Sequence, residues 1–186
     1  MQTFNTNQTW GWVSILLHWV MAVLLIGLYF VGDYMVGLSY YDSNYHTLPA
    51  LHKALGILVG FMLLFRLVWL LVQPQPGHPP TAGPLMNNLA TLGHITLYGL
   101  MFIMIISGYL ISTAKGKGID IFGLFEFPAL LGSDTGRGEL AGKIHAWAGT
   151  AFIVLAGLHA LAALAHHFFW KDNTLTRMLG IKAIKE

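Results

Sequence analysis

The chain has 186 residues, 55% of them hydrophobic and 10% charged, with a mean hydropathy of +0.62. Soluble domains carry about 25% charged residues, so this is a membrane composition, and a net charge of +2 gives no basic surface for nucleic acid. Cysteine is absent, which removes disulfides, thiolate-held iron–sulfur clusters and the covalent Cys-x-x-Cys-His haem attachment.

The first ten residues are polar and uncharged. They lack a basic n-region, and the apolar run that follows is long, so the segment leads into a first membrane helix and is not a cleaved signal. A spanning helix needs ~20 mostly apolar residues. Four segments qualify, at about 11–35, 51–72, 89–111 and 144–170. The connection 36–50 is polar, and Tyr40, Tyr41 and Tyr45 suit the headgroup level. The stretch QPQPGHPPTAGP at 73–84 ends the second helix, because proline lacks the N–H and clashes with the preceding turn. The longer connection 112–142 lies outside the membrane. Within it, IDIFGLFEFPALL (119–131) is apolar but too short to span, and it reads as lying in the interface or covering the bundle mouth. The predicted fold is therefore all-α: an integral membrane four-helix bundle, up-down-up-down, in one domain of residues 1–186, with both termini on the same side.

Basic residues tie between the two sides. Arg66, Lys171, Arg177, Lys182 and Lys185 fall on the terminal side, and Lys53, Lys115, Lys117, Arg137 and Lys143 on the other. The basic tail leans towards cytoplasmic termini.

Ionisable side chains inside a bilayer are costly and read as functional. His18, His52, His145 and His159 lie in the apolar segments. Helix direction sorts them. His52 and His145 each begin a helix on one side, while His18 and His159 sit near the terminal side. The fourteen residues from His145 to His159 make nearly four turns, ~21 Å along one helix face. One face of the fourth helix thus supplies a histidine to each of two sites, as bundle cofactor sites are built. Gly56 follows His52 by four, Gly149 follows His145 by four, and Ser14 precedes His18 by four. Residues four apart stack on one face, so these positions leave room for a flat macrocycle. Arg66 shares a face with His52 at the depth of His18 and His159, where a haem propionate would balance its charge. Helix packing alone explains single membrane histidines and glycines equally well. Zinc is the chemical rival, but it wants four ligands, usually including thiolates. Two axial imidazoles at each depth suit haem.

His46 and His78 lie in loops, and His94 is early in the third helix. His166, His167, Trp170 and Lys171 end the fourth. They read as an aromatic and basic interfacial anchor or, functionally, as a dock for a quinone headgroup.

LHWVMA around His18, LHKALGILVGFMLLFR from His52 to Arg66, SGYLISTAKGK at 107–117, and IHAWAG through GLHALAALAHHFFWKDNTLTRM carry a likeness. Through them the chain resembles the bacterial cytochrome b561 family over nearly its whole length. The resemblance implies two b-type haems, held by His18 with His159 and by His52 with His145, in a multi-pass inner-membrane protein with cytoplasmic termini. It implies electron transfer with ubiquinone. One branch suggests superoxide oxidation on the outer side. Another, closer in SYYDSNYH and in the 108–128 loop, suggests a periplasmic isoprenoid-binding partner. Two functions follow: an electron-transfer oxidoreductase, or a haem-bearing anchor that docks a periplasmic partner without turnover of its own.

Overall fold

The computed structural model describes residues 2–77 and 83–181. His78, part of the proline-rich stretch, Lys182 and Lys185 lie outside them. Four long helices occupy the predicted spans: α1 (Trp12–Val36), α2 (Thr47–Val72), α3 (Pro84–Ser112) and α4 (Thr135–Phe168). A short α5 (Thr174–Met178) closes the described tail. All four long helices are apolar enough to cross a membrane. Their exposed surface is aliphatic and aromatic, with Val23 69%, Phe30 61% and Leu71 86% accessible. A water-facing domain would not present such surface at every turn, whereas lipid solvates it. The fold is an all-α membrane four-helix bundle.

The chain packs as two compact units. One holds the described residues of Met1–Ala22, Met62–Leu97 and Val154–Glu186, and the other holds Val23–Phe61 and Tyr98–Ile153. Each long helix passes from one unit into the other. The described residues of both terminal segments belong to the first.

In the first unit Leu63 is fully buried, and the polar lead-in is folded onto the helices. Buried Asn5 accepts from the Gly11 N–H (2.8 Å) and the Ser14 hydroxyl (2.7 Å), and Trp69 Nε1 donates to Ser14 Oγ (3.0 Å). Phe4 stacks on Trp69 at 5.8 Å. Gly11 is required here, because a Cβ would meet the Thr3 carbonyl oxygen and the Phe4 backbone at 2.4–2.8 Å. Ser14, read above as a small residue beside a macrocycle, is thus a hydrogen-bonding hub. At the other end of the chain, Trp19 Nε1 donates to the Met178 carbonyl (2.7 Å), fixing α5.

In the second unit the first part of the 119–131 segment folds as a hairpin, residues 119–127. Strands β1 (Ile119–Ile121) and β2 (Phe125–Phe127) pair antiparallel. Phe122 (φ 54°) and Gly123 (φ 72°) make the turn, closed by Leu124 N–H to the Ile121 carbonyl (2.9 Å). Two positive φ values match the right-handed strand twist. Asp120 and Glu126 stand opposite each other, a repulsive cross-strand pair. Each carboxylate is turned onto a backbone N–H, Asp120 onto Gly123 and Glu126 onto Gly118. Ile119 and Ile121 bury against Ala54 of α2, with Tyr109 of α3 packed alongside. The Tyr109 hydroxyl donates to the Pro128 carbonyl (3.0 Å) and accepts from Leu130 N–H (2.6 Å).

Helix α4 begins nine residues before the apolar run, at Thr135. The cause is an N-cap: Asp134 Oδ1 accepts from Arg137 N–H at 2.9 Å.

Candidate functional site

Each unit brings together histidines from different helices. In the second unit His52, in the first turns of α2, and His145 of α4 have ring centres 6.2 Å apart and planes at 72°. Each ring is seated on a glycine of a third helix. A Cβ on Gly32 of α1 would stand 3.1 Å from His52 Cε1, and one on Gly108 of α3 would stand 3.0 Å from His145 Cε1. Gly32 and Gly108 were not singled out in the sequence, since nothing in a lone membrane glycine tells which neighbour it admits. Beside His145, Ser107 Oγ lies 3.0 Å from Nδ1. His52 Nδ1 has no hydrogen bond of ordinary geometry. An apolar cleft of about 250 Å³ opens onto His52 between Val23, Gly27 and Val31 of α1 and Leu51 and Leu55 of α2.

The two His-x-x-x-Gly pairs differ. A Cβ at Gly56 would meet nothing within 4 Å, so this position faces open space. Gly149 is buried under the Met104 thioether (3.4 Å from such a Cβ) and Tyr29 (3.8 Å).

In the first unit His18 of α1 and His159 of α4 have ring centres 6.3 Å apart and planes at 61°. His94 of α3 approaches His159 more closely, at 5.2 Å. Arg66 of α2 is close enough for its charge to act on His18. Its guanidinium reaches the Ser14 carbonyl at 3.4 Å. It lines a cavity of about 20 Å³ with Trp10, Ser14, Leu17, Trp69 and Met178, room for about one water. Among the described residues no group of three or more His, Asp or Glu side chains is arranged to hold a metal ion. A tetrahedral zinc site therefore lacks its ligand set.

The end of α4 is a polar knot. His166 Nδ1 and Asp172 Oδ2 are 2.5 Å apart, and Trp170 packs on the His166 ring at 4.8 Å. Lys171, at φ 52°, turns the chain back. His167 packs edge-on against Phe168. Burial alone would raise the Asp172 carboxyl, but hydrogen bonds from Thr174 and His166 outweigh it and hold the group below its usual range. A depressed carboxyl contributes stability above its unfolded value of about 3.9 and loses it as pH falls through the lower folded value. The melting temperature in detergent should therefore drop as pH is lowered below about 4. Asp172→Asn should melt lower than wild type at neutral pH and lose that acid dependence; tryptophan fluorescence during heating reads both.

The sequence matches the profile of prokaryotic cytochrome b561 over residues 9–180. It is 44% identical to Cytochrome b561 homolog 2 of Escherichia coli (strain K12) over 97% of this chain and 96% of that one. The probable superoxide oxidase CybB of Yersinia pestis is 29% identical, covering 95% and 98% of the two chains. Cytochrome b561 homolog 1 of Escherichia coli (strain K12) is 26% identical, covering 96% and 98%.

Proposed function

This chain belongs to the prokaryotic cytochrome b561 family, haem b-binding electron-transfer proteins of the membrane, and we propose that it is a di-haem cytochrome linking an outer-side donor or acceptor to the quinone pool. The ligands would be His52 with His145 and His18 with His159. The observation that carries the reading is the spacing of the rings. An imidazole nitrogen would hold a first-row metal at about 2.0–2.1 Å, so two rings that shared one metal ion between them would stand with their centres roughly 6 Å apart. The two pairs stand at 6.2 and 6.3 Å. His94, at 5.2 Å from His159, is too close to share a metal in that way, and we assign it a polar contact beside the pair. The cleft at His52 and the open space over Gly56 suit the edge of a planar macrocycle, and Arg66 suits a propionate. Gly149, covered by Met104 and Tyr29, contributes close packing instead.

Haem b, once held, supplies a one-electron ferric/ferrous couple. The chain's own part is to fix two imidazoles per site, to keep water out with the apolar walls of α1 and α2, and to neutralise charge with Arg66. We place the termini in the cytoplasm, which agrees with the basic residues Lys171 and Arg177 on the terminal side. Trp170 and Lys171, exposed at the end of α4 beside His167, are the residues we assign to a quinone headgroup; His166 is committed to Asp172. Superoxide as the outer donor is supported by the name of one relative at 29% identity. A periplasmic isoprenoid-binding partner has no support in the relatives' names.

Reduced-minus-oxidised spectra of the purified protein should show b-type haem. Reconstituted with ubiquinol, the protein should reduce within the mixing time of a stopped-flow instrument. Reduction by superoxide that is slow and indifferent to added quinone would remove the superoxide reading and leave the quinone link to the ubiquinol experiment.

A further inference from the structure

Ser107 is buried, 4% accessible, on α3 one residue before the glycine that seats His145. Its hydroxyl has two carbonyl acceptors, Ile103 at 2.5 Å and Met104 at 3.2 Å. A serine has one proton to donate and two lone pairs. With the proton spent on a carbonyl, Oγ can only accept from His145 Nδ1, 3.0 Å away. The Met104 carbonyl, like the Leu28 carbonyl at His52, lies close to the ring; the contact that names the nitrogen is the one from Ser107. Nδ1 of His145 therefore carries the proton, and its lone pair is on Nε2.

His52 has no equivalent. The Leu28 carbonyl faces its ring, but Nδ1 makes no hydrogen bond of ordinary geometry, and the residue before Gly32 is Val31, with no hydroxyl. The two imidazoles of this pair are thus alike in their glycine seats and unlike in their polar partners.

We propose that Ser107 is a positioning residue that holds His145 in the Nδ1–H tautomer and makes it the more electron-donating ligand of its pair. This rests on the His52–His145 ligand assignment. A hydrogen bond accepted from the distal N–H fixes ring orientation and raises ligand basicity. A more basic ligand favours the ferric state, so the haem of this pair is held at a lower potential than its ligand type alone would give.

The test is a spectroelectrochemical titration of the purified holoprotein, with electron paramagnetic resonance of its oxidised form. Ser107→Ala should raise the potential of one of the two b-haem components, leave the other in place, and move the low-spin signal of that component alone. Ser107→Thr, which restores the hydroxyl, should return both towards wild type. If Ser107→Ala instead sheds one haem, retention in Ser107→Thr supports the proposal, and loss in both overturns it by showing a packing role only. Unmoved potentials and signals in Ser107→Ala with both haems retained also overturn it. His145→Ala run in parallel keeps the two questions apart: if it fails to remove a component, the ligand assignment has failed, whatever Ser107 does.

Discussion

His145→Ala should lower the haem content of the purified protein from about two b-type haems per chain to about one, and His159→Ala should do the same by removing the other haem. The expectation follows from how the imidazoles are distributed. His52 and His145 lie in one compact unit, and His18 and His159 lie in the other, with no imidazole shared between the pairs. Bis-imidazole ligation needs both partners. Removing His145 leaves His52 facing a cavity with no second nitrogen donor, while the pair in the first unit keeps both of its rings. The pyridine haemochrome assay, normalised to protein, counts what remains, and the reduced spectrum reports which component was lost. Loss of both haems from each single variant, with helicity retained, would contradict two independent sites. A wild-type content of one would contradict the di-haem reading outright.

The long helices were readable because lipid imposes a simple rule. Every backbone polar group must be satisfied within the segment, and the side chains outside it must be apolar. That rule leaves long uninterrupted runs, and their alternating direction is enough to put His52 at the depth of His145 and His18 at the depth of His159. The regions outside the apolar runs follow other rules, and there overall hydrophobicity is a poor guide to structure. IDIFGLFEF alternates apolar and acidic residues on either side of Phe-Gly, a period-two pattern with a turn at its centre. Its high apolar content hid that pattern. Asp134 ahead of Thr135 was an N-cap signal, masked by the glycines around it. Asn5 sits in a segment whose polar residues suggested solvent, yet they satisfy one another and the start of α1. The glycines show the deeper limit. Spacing alone selected Gly56 and Gly149, while the glycines that touch the histidines are Gly32 and Gly108 on the neighbouring helices. A glycine's role depends on what approaches it, and that belongs to the packing of two helices, not to the pattern along one.

Gly108→Leu and Gly56→Leu should both cost the same haem as His145→Ala, for opposite reasons. At Gly108 the obstacle is protein. A Cβ there stands 3.0 Å from His145 Cε1, closer than side chains ordinarily approach. The ring cannot move aside without leaving Ser107. Interiors packed near crystal density do not absorb three further carbons beyond that Cβ, so the imidazole is displaced. At Gly56 a Cβ meets nothing within 4 Å, so the polypeptide offers no reason for the substitution to matter. A leucine there even gains helix propensity over glycine, by somewhat less than the ~0.8–1.0 kcal/mol that separates glycine from alanine. It will displace haem only if the macrocycle occupies the space one turn beyond His52. Gly99→Leu is the control, since a Cβ there is equally unopposed on an exposed face of α3, and it should keep both haems. Haem content fallen to about one per chain in Gly56→Leu, with circular dichroism and yield matching Gly99→Leu, would place a ligand where the polypeptide has left room. Two haems retained in Gly56→Leu would mean that the space over Gly56 belongs to lipid and that the macrocycle lies on the other side of the imidazole pair.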